Sequence, residues 1–440
     1  MVNEGVRLKR YLALSLIVSQ RLWQALAGLL TALVVTYTLN PDQQGWYYTF
    51  ISLAALYALF EMGLSVALVQ VTAHMFVKLN WAKNGFVVGD QAAAFIAFLS
   101  SSFKAYLKIA IAFIVVAILI GFAVFDHKVG AQRWALPWVA LVMITAANMI
   151  MLPFFAVVEG SGEIAEVYAV RLIQGIFGSI VCWCVLLLGG GLWATIAIPL
   201  VGVAIAVVWL TTQRVGLIHS IYVRSHKLIF NWKSEIWPLQ WRVGVGSTST
   251  FLMSQLSTPI LFHYQGAVTA GKMGLSLTIA HMLGIVAQSW IARRVPSMAQ
   301  AASNKDWGAL DQLFRKDFAL ALLIFIGGAI AFFLAYALLD ESPYTQRVLS
   351  FNALMGLFGF VFFYLINGAL ASQLRSFRRE PLAGVFLLGA ILVLFGSVVA
   401  AKNYSAEGMV LVMFLMQFLL IFPISLYVWY SCNKKWRKEL

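Results

Sequence analysis

Long apolar runs recur along almost the whole chain, and shorter polar connections separate them. A run of about 20 apolar residues suffices for an α-helix to cross a bilayer, and twelve segments reach that length. The pattern therefore predicts an all-α polytopic membrane protein with twelve transmembrane helices. The segments cover residues 11–38, 46–75, 102–125, 134–158, 164–188, 191–212, 236–263, 267–291, 317–339, 346–372, 381–401 and 406–431.

Composition supports this class. The 440 residues are 62% hydrophobic and 11% charged, and the mean hydropathy is +0.86, which is too apolar for a soluble domain. The net charge of +14 does not indicate nucleic acid, because most of the 31 Lys and Arg residues lie in alternate connections and at the chain ends. That placement is the positive-inside bias, and it predicts that both termini are cytoplasmic.

The longest polar connection, residues 211–233, lies near the middle of the chain. It divides the sequence into an N-lobe of residues 1–215 with spans 1–6, a basic cytoplasmic linker of residues 216–233, and a C-lobe of residues 234–440 with spans 7–12. An even number of spans in each half predicts a parallel repeat, whose substrate site normally lies between the halves. In both halves the connection after the second span, 78–104 and 292–316, is expected to continue as a surface helix.

Polar residues inside three spans are the candidate substrate-binding groups. A charge at mid-bilayer costs at least about 2.5 kcal/mol, so it should face a bundle interior or a watery cavity. Guanidinium groups hold phosphate oxygens through two parallel hydrogen bonds, which predicts a cationic cavity for a phosphate or diphosphate. An internal ion pair that serves packing alone is the alternative. The candidates are Arg21 and Gln24 in span 1, Arg171 and Gln174 in span 5, and Arg242 and Gln255 in span 7.

Glu61, in span 2, descends from the outer side to a depth near that of Arg21. Two interpretations stay open: a salt bridge with Arg21, which would offset the cost of both charges, or a carboxyl group that is free to protonate and to couple transport to an ion gradient. H⁺ or Na⁺ would then be the coupling ion, and no other cofactor is predicted.

Motifs for catalysis and metal binding are absent from the sequence, so we expect a transporter rather than an enzyme. The segment Gly266–Met273 approaches a phosphate-binding loop, but Lys272 is not followed by Ser or Thr. It also precedes a span on the predicted outer side, away from ATP. We therefore reject a nucleotide site there.

Two short motifs suggest a family. Gln43-Gln44-Gly45-Trp46-Tyr47-Tyr48 opens span 2, and Phe60-Glu61-Met62-Gly63-Leu64 lies within it. Together with twelve spans in two halves, they resemble the bacterial polysaccharide exporters and O-antigen flippases of the Wzx type. Their superfamily, the multidrug/oligosaccharidyl-lipid/polysaccharide (MOP) exporters, also contains the lipid II flippase and the MATE antiporters.

The resemblance implies a V-shaped bundle of two six-helix lobes in the bacterial inner membrane. It implies export of an undecaprenyl-diphosphate-linked oligosaccharide, such as an O-antigen unit of lipopolysaccharide, from the cytoplasmic to the periplasmic leaflet. Membrane lipids, a polysaccharide polymerase and a chain-length regulator are the implied partners. In such flippases interior arginines meet the diphosphate, a role open here to Arg21, Arg171 and Arg242.

Two other classes compete with the flippase. A MATE-like cation-coupled drug antiporter typically carries an acidic residue in its first lobe, whereas Arg21 in span 1 would repel a cationic substrate. A polytopic membrane enzyme of glycan assembly would be expected to build its site in a large outer loop, and the sequence has none. The sugar composition of the substrate and the identity of the coupling ion stay open.

Overall fold

The computed structural model describes residues 2–125, 133–224, 230–339, 342–377 and 379–439, which are mainly α-helical. In this part of the chain nine helices are long and apolar enough to cross a membrane, and the bent pair Pro41–Glu61 and Leu64–Lys78 makes a tenth. The predicted all-α multi-pass fold is confirmed. The first eleven helices are α1 Val2–Thr38, α2 Pro41–Ala54, α3 Tyr57–Glu61, α4 Leu64–Met75, α5 Ala92–Phe125, α6 Ala135–Gly160, α7 Ile164–Leu187, α8 Ala194–Gln213, α9 Val215–Arg224, α10 Trp232–Glu235 and α11 Trp237–Ser254.

Seven further helices complete the chain. They are α12 Ser257–Gln265, α13 Ala267–Ala292, α14 Val295–Ser303, α15 Trp307–Leu338, α16 Phe351–Arg375, α17 Ala383–Leu415 and α18 Phe422–Glu439. A π-helical turn, Met416–Ile421, joins α17 to α18. It ends two residues before Pro423, which has no N–H to donate to the preceding helical turn, and a π-turn accommodates such a missing bond.

The stretch Ala383–Lys438 passes the length and hydropathy test as one long helical segment but folds back on itself at Ser405. The backbone of Ser405 has φ 60° and ψ −157°, outside the helical region. Gly396 lies against Val412, and Gly389 lies against Ile421, so the parts before and after Ser405 run antiparallel. The last two predicted spans are therefore separate crossings, and α11 with α12 covers the seventh predicted span.

The chain folds as two compact units, and the boundary between them crosses three helices, α1, α2 and α11. Unit 1 comprises Met1–Val34 and Phe50–Phe251, and unit 2 comprises Val35–Thr49 and Leu252–Leu440. The turn between α1 and α2 thus belongs with the C-terminal helices, while most of α11 belongs with the N-terminal ones. The predicted lobe boundaries stay a prediction, and residues 225–229 of the predicted linker lie outside the described residues.

Unit 1 has an aromatic core where α5 meets α6. The rings of Phe50, Phe125 and Trp138 pack with centroid distances between 5.1 and 5.6 Å. Gly121 lets α5 approach closely, because a Cβ there would lie 1.9 Å from the indole nitrogen of Trp138. Edge and tilted ring contacts of this kind are the favoured aromatic geometries.

The connection between α4 and α5 contains a small β-hairpin. Strand β1, Asn80–Trp81, pairs antiparallel with β2, Val87–Val88. Its loop needs left-handed backbone, which Asn84 and Gly85 supply at φ 56° and 77°. The expectation of a surface helix is therefore wrong for residues 78–91, whereas in the corresponding connection of unit 2 the helix α14 is present.

In unit 2 the turn Asn40–Gln43 starts α2 with two reciprocal side-chain caps. The Asn40 side chain accepts from the Gln43 N–H at 2.8 Å, and the Gln43 side chain accepts from the Asn40 N–H at 3.2 Å. Pro41 occupies the first helical position, where its missing N–H costs nothing. Residues that are adjacent in the sequence therefore determine where α2 begins.

Candidate functional site

Span 2 is broken at its middle. Helix α3 ends at Glu61, Met62 and Gly63 adopt left-handed backbone with φ 48° and 67°, and α4 begins at Leu64. The two parts of the span differ in direction by 42°. A non-glycine residue in this conformation is strained unless its surroundings hold it, and such strain is concentrated at functional sites. The break is therefore a candidate functional site of unit 1.

The Glu61 side chain lies in this break and is only 8% exposed. Oε2 accepts the N–H of Gly63 at 2.8 Å, and Oε1 accepts the N–H of Ser65 at 2.5 Å. These N–H groups belong to the start of α4, which has no helical carbonyl to receive them. The carboxylate therefore caps α4 and interacts favourably with the positive end of its dipole.

Tyr106 of α5 is the third partner of Glu61. Its hydroxyl donates to Oε1 at 2.9 Å, and the Ser65 side chain lies close to this hydroxyl. Tyr106 is fully buried, and the nearby Phe60–Phe113 ring pair makes the surroundings apolar. Sequence analysis missed Tyr106 and Ser65, because a tyrosine and a serine inside apolar segments carry no signal of their own.

Helix α11 passes directly against the break. A Cβ on Gly63 would lie 2.2 Å from Cγ1 of Val243, and a Cβ on Gly244 would lie 3.0 Å from the end of Met62. Glycine at both positions permits this close approach. The backbone of Arg242 adjoins this contact, but its side chain lies outside the described residues, so its predicted role in binding stays a prediction.

Arg21 and Gln24 are exposed side chains of α1. The face of α1 that packs on α7 is marked by Trp23, 6.4 Å from Trp183 between ring centroids, and by Thr31, which accepts from the Trp183 indole N–H at 2.9 Å. Arg21 precedes Trp23 by two positions, about 200° around the helix, and so points away from α7. No acidic side chain of the described residues pairs with Arg21.

The salt bridge between Arg21 and Glu61, one of the two interpretations left open by the sequence, is not formed. Glu61 is held instead by two backbone N–H groups and a phenol. Depth in the membrane pairs Glu61 only with charged side chains, whereas the helix break places backbone donors next to the carboxylate. Arg21 and Glu61 therefore do not offset each other's charge.

Arg171, expected as a cavity cation, forms an ion pair. Its guanidinium lies 3.2 Å from the carboxylate of Glu159, and its Cζ lies 5.3 Å from the ring centroid of Tyr168. Gln174 donates to the backbone carbonyl of Gly202 at 2.7 Å, a contact between α7 and α8. Both side chains therefore take part in packing within unit 1, and their role in substrate binding stays a prediction.

Gln255 lies in unit 2, between the end of α11 at Ser254 and the start of α12 at Ser257, and is half-buried. Like the break in span 2, this interruption exposes helix-end groups within a span. Discontinuous helices of this kind provide ion and substrate sites in many transporters. The binding role of Gln255 stays a prediction.

The motif that opens span 2 has a packing role in unit 2. The Gln44 amide donates to the carbonyls of Gly271 at 2.9 Å and Arg347 at 3.1 Å. Gly45 lies against the backbone of Ala267, and Trp46 meets Phe262 edge-on at 4.8 Å. This motif fastens the start of α2 to the start of α13.

No protein-family model matches the sequence, and no curated protein matches it. Solved structures do match in fold. An inward-facing multidrug resistance MATE family transporter of the MOP superfamily is 12% identical, with a TM-score of 0.59 over 93% of this chain and 99% of its own. The lipid II flippase MurJ in an inward closed conformation is 12% identical, with a TM-score of 0.59 over 96% and 93% of the two chains.

A MOP superfamily transporter from Pyrococcus furiosus is 13% identical, with a TM-score of 0.53 over 97% of both chains, and is described by a reversed polarity of its binding pocket. The chain therefore has the fold of MOP superfamily transporters and is a multi-pass membrane protein of that architecture. Identities this low establish the fold alone. MATE transporters and the lipid II flippase match it equally well.

Proposed function

We propose that the protein is a flippase of the bacterial inner membrane that moves an undecaprenyl-diphosphate-linked oligosaccharide from the cytoplasmic to the periplasmic leaflet. The cycle is alternating access, with both termini in the cytoplasm. A polysaccharide polymerase would use the exported unit, together with a chain-length regulator. The shared fold with a lipid II flippase supports this class of substrate without specifying it.

The proposal depends on the position and the exposure of Arg21. It lies within a membrane-spanning helix, is exposed, and pairs with no acidic side chain of the described residues. A guanidinium remains charged, so an intramembrane site of this kind favours an anionic group over a cationic one. Gln24, almost one helical turn away and also exposed, offers a neutral hydrogen-bonding group for the same ligand.

A MATE-like antiporter for cationic drugs is the second candidate. The buried carboxylate Glu61 in the first half of the chain favours it, as does the fold shared with a MATE transporter. The Glu61 oxygens, however, are occupied by three hydrogen-bond donors and are not presented to a bulky cation. Arg21 would in addition repel such a substrate.

Deletion and complementation in a host that depends on this gene tests the proposal. Arg21→Ala should lower surface glycan export by about 10- to 100-fold, because a hydrogen bond to a charged group contributes about 1.5–3 kcal/mol. Lipid-linked repeat units should accumulate in the inner leaflet. Arg21→Lys should retain part of the activity, since the charge remains but the planar fork does not.

The matched control is Arg133→Ala, which removes an exposed arginine just before α6. Immunoblots must show equal amounts of all variants in the membrane. Full export by Arg21→Ala would contradict the assigned role. Normal surface glycan in the deletion strain, with changed resistance to cationic dyes, would assign the protein to the antiporter class.

A further inference from the structure

Two consecutive arginines, Arg293 and Arg294, converge on one buried carboxylate in unit 2. They lie in the turn between α13 and α14, and the carboxylate belongs to Asp317 of α15. Nη2 of Arg293 donates to Oδ1 of Asp317 at 2.9 Å, and Nε of Arg294 donates to Oδ2 at 3.0 Å. The Asp317 side chain is only 5% exposed, so its charge needs a cation as partner.

Elsewhere in the molecule one arginine is enough for this purpose. Glu166 pairs with Arg214, and Asp311 pairs with Arg437, so that each carboxylate has one guanidinium. Among the ion pairs between described side chains, only Asp317 accepts two arginines. The group around Asp317 therefore keeps a net positive charge, whereas the other pairs are neutral.

The guanidinium groups of Arg293 and Arg294 are held in place but are not enclosed. Their side chains are 46% and 39% exposed. Each uses one N–H donor on Asp317, and its other donors stay available to a ligand. Cζ of Arg293 lies 4.0 Å from the ring centroid of Trp290, a cation–π contact that orients this guanidinium. Adjacent, oriented guanidinium groups suit a phosphate group, whose oxygens accept several charge-assisted hydrogen bonds.

Lys316, the residue before Asp317, continues an exposed apolar stripe on α15. Leu323, Ile326 and Ile330 of this stripe are 66%, 42% and 55% exposed. Lys316 is exposed too and precedes Leu323 by seven residues, so both lie on one face of the helix. Because α15 is long and apolar enough to cross a membrane, the stripe is a lipid-facing surface. The cationic group therefore lies at the edge of a surface that contacts lipid.

The depth of this group matches the phosphate layer of a bilayer. It lies at the end of unit 2 that the distribution of Lys and Arg predicts to be cytoplasmic, and Trp290 has the position typical of an interfacial tryptophan. The part of the stripe from Lys316 to Ile326 is about 15 Å long, which equals the hydrocarbon depth of one leaflet. A phospholipid with its headgroup at Lys316 would thus have its acyl chains along the stripe.

We propose that Arg293, Arg294 and Lys316 form a headgroup site that binds the phosphate of an anionic phospholipid in the cytoplasmic leaflet. Asp317 and Trp290 position the two arginines. Three cations and one carboxylate leave a net charge of +2, which favours an anionic headgroup over a zwitterionic one. The headgroup site does not depend on the identity of the transported substrate.

Native mass spectrometry of the full-length protein in detergent, titrated with lipid, measures this preference. The wild type should bind anionic phosphatidylglycerol about 30-fold more tightly than zwitterionic phosphatidylcholine, since each net charge contributes a factor of about five. Lys316→Gln and Arg293→Gln should each weaken the binding of phosphatidylglycerol about fivefold and leave that of phosphatidylcholine unchanged. In Arg293→Gln the Asp317 carboxylate still pairs with Arg294.

The matched control is Arg315→Gln, which removes the same charge from an exposed position of the same helix. Arg315 lies about 200° around α15 from Asp317, so this variant should weaken the binding of phosphatidylglycerol by less than about twofold. If Arg293→Gln fails to fold, Lys316→Gln still tests the site, because Lys316 forms no ion pair with a described carboxylate.

Equal affinity of the wild type for the two lipids would overturn the proposal. An equal loss in Arg315→Gln and Lys316→Gln would also overturn it, because it would show general attraction to a basic surface. Full displacement of phosphatidylglycerol by millimolar inorganic phosphate would assign the arginines to a soluble phosphate instead. Failure of the flippase function is distinguishable from all three results: glycan export is then independent of the gene, while the lipid affinities behave as expected.

Discussion

Substitution of Gly45 by alanine should destabilise unit 2 strongly. The new methyl group would lie 1.9 Å from the carbonyl oxygen of Ala267, so the starts of α2 and α13 would have to separate by roughly 1.5 Å to reach normal contact. The Gln44 hydrogen bonds to Gly271 and Arg347, now 2.9 and 3.1 Å long, would stretch beyond useful length. Overpacking costs about 1–3 kcal/mol and each of the two lost bonds about 0.5–1.5 kcal/mol, so we expect about 2–6 kcal/mol in total.

Thermal unfolding in detergent, followed by the fluorescence of the 15 tryptophans, measures this effect. The matched control is Gly327→Ala in α15, where a Cβ meets nothing within 4 Å. Alanine should be neutral there or stabilise by up to about 1 kcal/mol through its helix propensity. The two variants should therefore shift the midpoint in opposite directions or by clearly different amounts. A Gly45→Ala protein as stable as the wild type would refute the close approach of the two helices.

Two further substitutions test unit 1 in the same assay. Gly63→Ala should lower the free energy of unfolding by about 2–4 kcal/mol, because its φ is 67° and a Cβ would lie 2.2 Å from a valine of α11. Gly162→Ala, at φ 95° with open space around it, should lower it by only about 1–2 kcal/mol. Equal losses of stability in these two variants would show that α11 does not pack tightly against the break. Arg214→Ala should cost about 1–3 kcal/mol, because it leaves the carboxylate of Glu166, only 22% exposed, without its cation. Arg375→Ala breaks a pair whose side chains are 53% and 48% exposed and should cost less than about 1 kcal/mol; a similar loss for both arginines would contradict the argument from burial.

Hydropathy does not predict the break in span 2. Hydropathy predicts residues 46–75 as one span, and their composition is that of one span. The break depends on left-handed backbone at Met62, a residue with no local preference for it. Contacts with α11 and the caps supplied by Glu61 stabilise this conformation, and neither can be derived from the local sequence.

In the candidate site too, the sequence reveals some residues, and only the structure reveals their partners. Sequence analysis singles out Glu61 because a carboxylate in a span is rare and costly, and the structure places it in a bonded, buried position. Its partner Tyr106 is 45 residues away, and its other partners are backbone groups. Depth alone made Arg171 a candidate, whereas its pair with Glu159 depends on how α6 and α7 lie side by side.

The sequence by itself determined that this is an all-α membrane protein and where its spans lie. The free energy of transferring a segment into lipid is nearly a sum over its own residues, so it can be evaluated without knowledge of neighbours. Only the tertiary structure decided which charges are paired, where a helix breaks, and why Gly45 is a glycine. Hydrogen bonds, ion pairs and steric contacts act over a few ångströms between residues far apart in the chain, and only the folded arrangement supplies those distances.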